Sequence, residues 1–268
     1  MKPHFSRRKF LAAVATGVGA ASIPPASAAK APAPPVKYIY SPPPPKAGPH
    51  TGSLDAVIQK LKPGPDFPLS FLHRSHRDLP TWKETARAKM LDLLHYAPQK
   101  CDPRAELLSR KDCGTYIREE IRFNTTAVLR VPATMLIPKA AQQRPGPAVV
   151  VLHSHGGYYL WGRERDIEGE NTHPTLLAMR TLATGGRAFA TDLVQRGYVV
   201  IAIDMFYWGE RRMVMEDEPV DWKTRPPDIS AEQVNLFNQR SSASEQLMGR
   251  TLFSMGITWA GIIAWDDI

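Results

Sequence analysis

Two continuous apolar runs dominate the hydrophobic pattern of the chain. Residues 148–153 (Ala-Val-Val-Val-Leu-His) and 198–203 (Tyr-Val-Val-Ile-Ala-Ile) are rich in β-branched side chains. Such runs are typical of strands that are buried on both faces of a parallel sheet. Between them, residues 188–196 have a helical pattern, and Gly197 is suited to end that helix in a left-handed conformation. This order of strand, helix and strand predicts a crossover unit of an α/β fold.

The remaining pattern predicts weaker strands before this unit and helices on either side of it. Residues 116–123 and 128–137 are extended in character, and Pro132 favours an edge position or a bulge for the second run. Capping boxes at 81–84 (Thr-Trp-Lys-Glu) and 242–245 (Ser-Ala-Ser-Glu) predict the first turns of two helices. The apolar stripe of the later helix continues to the end of the sequence without a stop signal.

The first residues have the order of an export signal. A twin-arginine pattern at 6–11 is followed by a weakly apolar run and by Ala26-Ser27-Ala28, a candidate cleavage site. We interpret residues 1–28 as a twin-arginine signal peptide and expect an exported protein, periplasmic or extracellular, whose partners include the twin-arginine export machinery. We expect no stable membrane span after signal removal. Residues 29–53 are rich in proline and predict a linker, and residues 54–268 predict one α/β domain with an N-terminal helical extension.

Charge and cysteine content narrow the class of partner. The formal net charge is +8, and removing the four basic residues of the signal lowers it to +4. No basic stripe is interleaved with aromatic residues, so nucleic acid is not an expected partner. Cys101 and Cys113 leave two alternatives open: an oxidising destination permits a disulfide, whereas the same residues also suit two small buried thiols.

At this point the chain resembles the α/β-hydrolase superfamily, and within it the branch of dienelactone hydrolases and bacterial acetyl xylan esterases. Three segments carry the resemblance: 148–158, which ends in His155-Gly156-Gly157-Tyr158, residues 197–212, and the helix predicted from Ser242. The resemblance implies the N-terminal half of a three-layer α/β-hydrolase fold. Its incomplete, mostly parallel sheet would have flanking helices.

The resemblance assigns the glycine pair to an oxyanion hole. Ester hydrolysis passes through a tetrahedral oxyanion that backbone N–H donors stabilise, and one donor in this fold comes from the loop after the third strand. Gly157 is the first choice of donor, with Gly156 and Tyr158 as its neighbours. His155 would support this loop by hydrogen bonding. The alternative is a glycine pair that only forms a tight turn between strand and helix.

An aromatic segment follows the second buried strand. Phe206, Tyr207 and Trp208 could form the walls of an acyl or sugar pocket, with Glu210 and Arg211 fixing the orientation of the substrate. The equally weighted alternative is an aromatic cluster that packs this loop onto the domain while its charges are solvated.

A metal site and an organic cofactor are not expected. His153 and His155 could place two imidazoles near one ion, with Asp204 as a third ligand. However, a strand alternates its faces, and only the isolated His173 follows. Ester hydrolysis of the serine type also needs neither group.

The nucleophile is the missing part of this interpretation. The superfamily places its serine in G-x-S-x-G, and the sequence contains no such pentapeptide. Ser154 and Ser254 stand in partial matches that lack the first glycine, and neither is expected to act as the nucleophile. We therefore expect the serine, the triad acid and the triad histidine beyond Ile268. The chain would then be a fragment and inactive by itself.

The sequence thus predicts an exported carboxylic ester hydrolase of the serine type, acting on a small-molecule or carbohydrate ester such as an acetylated sugar. Two alternatives stay open. One is a serine peptidase of the prolyl-oligopeptidase type, which shares this catalytic domain. The other is a non-catalytic, exported binding module that keeps the fold without its triad.

Overall fold

Five strands form one mixed sheet in the order β1-β2-β3-β5-β4. The computed structural model describes residues 51–61, 67–72, 78–142 and 146–268. The strands are β1 (Glu106–Asp112), β2 (Tyr116–Asn124), β3 (Arg130–Pro138), β4 (Ala148–Val151) and β5 (Val199–Ile203).

The α/β architecture with flanking helices is confirmed, but the described sheet is mixed where the sequence predicted a mostly parallel one. Only β4 and β5 pair in parallel, whereas the three other pairs of neighbours are antiparallel. Short connections explain two of the three antiparallel pairs. Residues 113–115 join β1 to β2, and residues 125–129 join β2 to β3. Connections of this length allow antiparallel pairing only, because a parallel pair needs a long crossover.

Seven α-helices are described. Two of them, α1 and α2, belong to a unit that contains the described residues up to Leu94, and the sheet with the other α-helices belongs to a second unit that contains residues 95–142 and 146–268. The helices are α1 (Asp55–Leu61), α2 (Leu79–Leu93), α3 (Pro174–Thr184), α4 (Phe189–Gln195), α5 (Val220–Thr224), α6 (Ala231–Ser254) and α7 (Trp259–Asp267).

The predicted signal peptide, residues 1–28, and residues 29–50 of the predicted linker lie outside the described residues. Over the described ranges, no single helix is long and apolar enough to cross a membrane. Taken together, α6 and α7 reach the required length and composition, but they are bent by 85° relative to each other.

Both predicted capping boxes are wrong. Helix α2 begins at Leu79 instead of Thr81, because Pro80 fits the first turn of a helix; the Thr81 hydroxyl donates to the Asp78 carboxylate. Helix α6 begins at Ala231, where the Ser230 hydroxyl accepts the N–H of Gln233 at 3.2 Å. Residues 242–245 therefore lie in the middle of α6, and Glu245 is free to face another part of the fold.

Pro132 lies in β3, which pairs with β2 on one side and β5 on the other, so the predicted edge position is wrong. The Pro132 carbonyl accepts the Asp204 N–H at 3.3 Å, and its nitrogen faces the same side of the strand. The ladder with β5 ends one residue away, at the Ala133–Ile203 pair. Proline therefore cannot return a hydrogen bond to Asp204, whose carbonyl instead accepts the Arg211 Nη1 at 3.0 Å.

The two parallel strands differ in burial. Strand β5 is a core strand, with Val200 and Ala202 at most 1% exposed, as predicted. Strand β4 alternates between more and less exposed positions, and Val150 is 50% exposed. The prediction that β4 is buried on both faces is therefore wrong for the described residues, where β4 is the last strand of the sheet.

Candidate active site

Two segments, residues 152–165 and 204–212, follow the two parallel strands β4 and β5. Because the carboxyl ends of parallel strands meet at one edge of a sheet, where open α/β sheets bind ligands, both segments lie at the expected position of a site. They are joined directly, since the Arg163 N–H donates to the Asp204 carboxylate at 2.8 Å. The predicted oxyanion residues lie in the first segment and the predicted pocket residues in the second.

The glycine turn, residues 154–157, is held from below by the guanidinium of Arg165. Its Nη1 donates to the carbonyl oxygens of Ser154 and His155, the second at 3.1 Å, and its Nη2 donates to the Ser154 hydroxyl at 2.9 Å. The Arg165 residue is 4% exposed. A Cβ at Gly156 would overlap the guanidinium, so a side chain at this position would require Arg165 to move out of its contacts with the turn.

The N–H groups of the two glycines have different environments. The Gly157 N–H, the first choice of oxyanion donor, donates to the His155 Nδ1 at 3.2 Å. The Gly156 N–H has no hydrogen-bond partner within the described part of the chain, and Gly156 is exposed. The two φ values, +51° and +73°, lie in the left-handed region that favours glycine. The Gly156 N–H is thus open to a ligand, whereas the Gly157 N–H is used within the turn.

His155 is linked to helix α6 through Glu245. The His155 Nδ1 accepts the Gly157 N–H, so Nε2 carries the proton and donates to the Glu245 carboxylate at 2.6 Å. The Tyr159 hydroxyl donates to the same carboxylate oxygen at 2.6 Å. Burial and this hydrogen bond raise the pKa of Tyr159 well above its ordinary value, so the hydroxyl stays protonated. His155 thus links the glycine turn to α6, and its support of an oxyanion loop stays a prediction.

His153 points into the core instead of the site. Its Nδ1 donates to the Ser154 carbonyl and its Nε2 accepts the Met205 N–H, both at 3.1 Å. Burial lowers the pKa of His153 to about 4, so the imidazole is neutral near pH 7. Its only lone pair is used by the Met205 N–H. The described residues also contain no group of three or more His, Cys, Asp or Glu side chains that could hold a metal ion.

Asp204 is the centre of a buried network beneath the two segments. Its carboxylate is fully buried and accepts the Arg163 Nη1 at 2.6 Å, together with the N–H groups of Arg163 and Glu210 at 2.8 Å each. Burial raises the pKa of Asp204, while the Arg163 guanidinium opposes that rise. A Cβ at Gly162 or Gly209 would overlap the Asp204 carboxylate, so both segments approach it through glycine backbone.

The predicted pocket residues are mostly engaged with other protein groups. Tyr207 and Trp208 are at most 2% exposed and belong to an aromatic core cluster, against which Phe206 packs. Glu210 is paired with Arg163 at 2.6 Å and also with Arg122, and Arg211 is paired with Asp266 at 2.7 Å. Their role as pocket walls stays a prediction. Glu210 also lines an open surface depression of about 440 Å³, together with Arg212, Val214, Lys223, Thr224 and Arg225.

Sequence reasoning missed the residues that support the glycine turn. Arg165 lies ten positions after His155, with no motif around it. The sequence pattern places Glu245 in a helix cap. Asn238, whose side chain accepts the Tyr159 N–H at 2.9 Å, lies about two turns earlier on α6. The signal that could have found Glu245 is the start of α6 at Ser230. A helix that begins there carries both side chains towards the turn.

Cys101 and Cys113, for which the sequence left a disulfide open, are both unpaired. Cys113 lies at the end of β1, and its N–H donates to the Tyr116 carbonyl at 2.9 Å in the β1–β2 turn. Neither cysteine is among the residues that surround the glycine turn.

Comparison with known proteins decides the family. The model of the Abhydrolase family matches residues 49–220, which is more than half of the chain. The chain belongs to the Abhydrolase family. This membership confirms the resemblance to the α/β-hydrolase superfamily, and the matched range includes the glycine turn and the Asp204 network.

Individual relatives of this Abhydrolase chain are more distant. YtaP of Bacillus subtilis (strain 168), a protein provisionally described as a hydrolase, is 28% identical over 188 residues, which cover 67% of this chain and 57% of YtaP. A solved structure from Bacteroides fragilis NCTC 9343, provisionally described as an acetyl xylan esterase, is 19% identical with a TM-score of 0.49. It is matched over 70% of this chain and 41% of that chain. The chain therefore spans little more than half the length of the curated relative it matches.

Proposed function

We propose that this chain provides the oxyanion-binding part of a carboxylic ester hydrolase of the serine type. The observation that carries the proposal is the exposed Gly156 N–H, which has no partner among the described residues and lies just after a parallel strand. In ester hydrolysis such a donor stabilises the negative charge that develops on the carbonyl oxygen. Membership of the Abhydrolase family supports the reaction class.

In this mechanism the chain's own residues bind and orient, and they do not attack the substrate. The Gly156 N–H donates to the carbonyl oxygen of the ester, and the donation strengthens as the oxygen becomes an oxyanion. His155, held by Glu245, keeps the Gly157 peptide in place on the other side of the turn. The nucleophile is a serine on a strand-to-helix elbow, for which the sequence offers no G-x-S-x-G.

Ester turnover tests this proposal when it is measured on the natural protein, which here means the protein as its own cells produce it. We expect the natural protein to hydrolyse 4-nitrophenyl acetate and to lose that activity after reaction with a serine-directed phosphonate. The polypeptide of residues 1–268 alone serves as the comparison and should show no turnover above the buffer rate. A natural protein that is folded by circular dichroism, but neither turns over the ester nor reacts with the phosphonate, would instead support a non-catalytic binding module.

A further inference from the structure

The buried guanidinium of Arg165 donates three hydrogen bonds to the glycine turn. It contacts two carbonyl oxygens and one hydroxyl, which belong to the adjacent residues Ser154 and His155. Burying a cation is costly unless its hydrogen bonds are satisfied, so this placement points to a specific task for the side chain.

Because a peptide unit is planar, the contact between Arg165 and the His155 carbonyl also determines where the Gly156 N–H points. In a trans peptide the N–H points opposite to the C=O of the same unit, and none of the described peptide bonds is cis. The His155 carbonyl faces Arg165, so the Gly156 N–H of the same peptide points away from Arg165. Arg165 therefore fixes the orientation of the exposed Gly156 N–H, which has no acceptor within the described part of the chain.

The sequence of the turn fits this arrangement at both glycines. A side chain at Gly156 would overlap the Arg165 guanidinium, whereas a Cβ at Gly157 would have no atom within 4 Å. Gly156 is therefore needed for the approach of Arg165 and not only for its positive φ of +51°. A glycine pair without such a constraint could rotate its peptides freely.

The backbone of Arg165 is itself anchored. Its N–H donates to the Gly162 carbonyl at 3.1 Å, and its carbonyl accepts the Arg180 Nε at 2.7 Å. Arg180 is 3% exposed and also donates to the carbonyl oxygens of Glu164 and Ile167. A guanidinium on an anchored backbone is preorganised, which is what stabilising a transition state requires.

From these contacts we infer that Arg165 is a positioning residue for the oxyanion donor, acting through the His155–Gly156 peptide. The inference rests on the proposed function. Arg165 lies beneath the turn and does not touch the substrate, so its loss should act on the transition state more than on substrate binding. Arg165 orients the His155–Gly156 peptide through the fixed geometry of its N–H donors and not through its charge.

Kinetics of Arg165 variants in the natural protein test the inference, with active sites counted by phosphonate titration. For Arg165→Met we expect kcat to fall by a factor of about 10 to 100, somewhat less than for outright loss of an oxyanion donor, with KM changed by less than about threefold. Arg165→Lys keeps the charge but cannot satisfy all three acceptors in the same geometry, so its kcat should lie between those of Arg165→Met and the unchanged protein.

Arg130→Met is the control. The Arg130 guanidinium also donates to a backbone carbonyl oxygen, that of Arg104, and to the side chains of Asn124 and Glu106, and none of these groups belongs to the two segments that follow β4 and β5. We expect Arg130→Met to lower the melting temperature and to leave kcat per titrated site within about threefold, since it lacks a link to the transition state.

The outcomes separate the two proposals. If the unchanged protein hydrolyses the ester but Arg165→Met and Arg165→Lys both keep its kcat per titrated site, the inference about Arg165 is overturned while the proposed function stands. Equal losses of kcat in Arg165→Met and Arg130→Met would overturn it as well, because they would show a general structural effect. An unchanged protein without ester turnover overturns both proposals. If Arg165→Met does not fold, the kcat of Arg165→Lys decides the question.

Discussion

The two segments that follow the parallel strands have similar promise in the sequence but different structures. The segment after β4 leaves Ser154, His155 and Gly156 exposed, with an N–H group open to solvent. In the segment after β5, Asp204, Tyr207 and Trp208 are almost completely buried. The Asp204 carboxylate accepts three hydrogen bonds from protein donors. The first segment is therefore accessible to a substrate, and the second segment stabilises the position of the first.

A few hydrogen bonds connect the two segments to the glycine turn. The Asp204 carboxylate accepts the Arg163 N–H, and Arg165, two residues further along the chain, donates to the His155 carbonyl in the glycine turn. On the opposite side, Glu245 from α6 holds His155. The turn is therefore fixed from both sides by groups that are more buried than the turn itself.

Replacing Asp204 should have the largest effect on this arrangement. Asp204→Asn replaces one carboxylate oxygen with an NH2 group, so one or two of the three buried donors lose their acceptor. Each loss costs about 1–3 kcal/mol of unfolding free energy, and more for the charged Arg163 donor. Urea unfolding followed by circular dichroism measures the loss.

Asp192→Asn is the control for Asp204→Asn, because Asp192 forms an ion pair with Arg187 at the surface. Its cost should stay within about 1 kcal/mol, as for other exposed pairs. If both variants lost the same unfolding free energy, the buried Asp204 network would not stabilise the protein more than a surface ion pair does.

A smaller effect should come from the titration of His153, which lies between the two segments. Its pKa is about 4 in the folded protein and 6.5 as the ordinary value, so folding favours the neutral imidazole. The stabilisation is fully present above pH 6.5 and is lost as the pH falls through 4, and it amounts to about 3 kcal/mol. Unfolding free energies measured from pH 7 to pH 4 test this expectation.

His153→Gln is the reference for that measurement, because glutamine keeps a donor and an acceptor but does not titrate. Asp204 and Asp267, whose pKa values burial raises, act in the opposite sense over the same range, but they are present in both proteins. The difference in unfolding free energy between the two proteins should therefore shrink by about 3 kcal/mol from pH 7 to pH 4. A difference that does not change with pH would mean that His153 is not buried in its neutral form.

Much of the fold could be predicted from local pattern. The two buried runs became β4 and β5, and Gly197, with a φ of +93°, follows α4 as expected. Pro132 was misplaced because its effect depends on which rung of the ladder lacks a donor. That fact depends on where β5 ends, and the sequence of β3 alone does not contain it.

The candidate site could be predicted only in its backbone. The glycine pair is a local signal, since positive φ and close approach need glycine at those positions. Arg165 and Glu245 lie 10 and 90 residues from His155, and only the tertiary fold brings them to it. The aromatic residues at 206–208 fitted a pocket and a core equally well, because apolar side chains suit both environments.

The structure of the natural protein with a covalently bound phosphonate tests the central claim most directly. The phosphonyl oxygen mimics the oxyanion, and the account predicts that it lies about 2.7–3.1 Å from the backbone nitrogen of Gly156. The His155 carbonyl should still face Arg165 in that complex. A phosphonyl oxygen bound by other donors, with the Gly156 N–H turned away from it, would contradict the account.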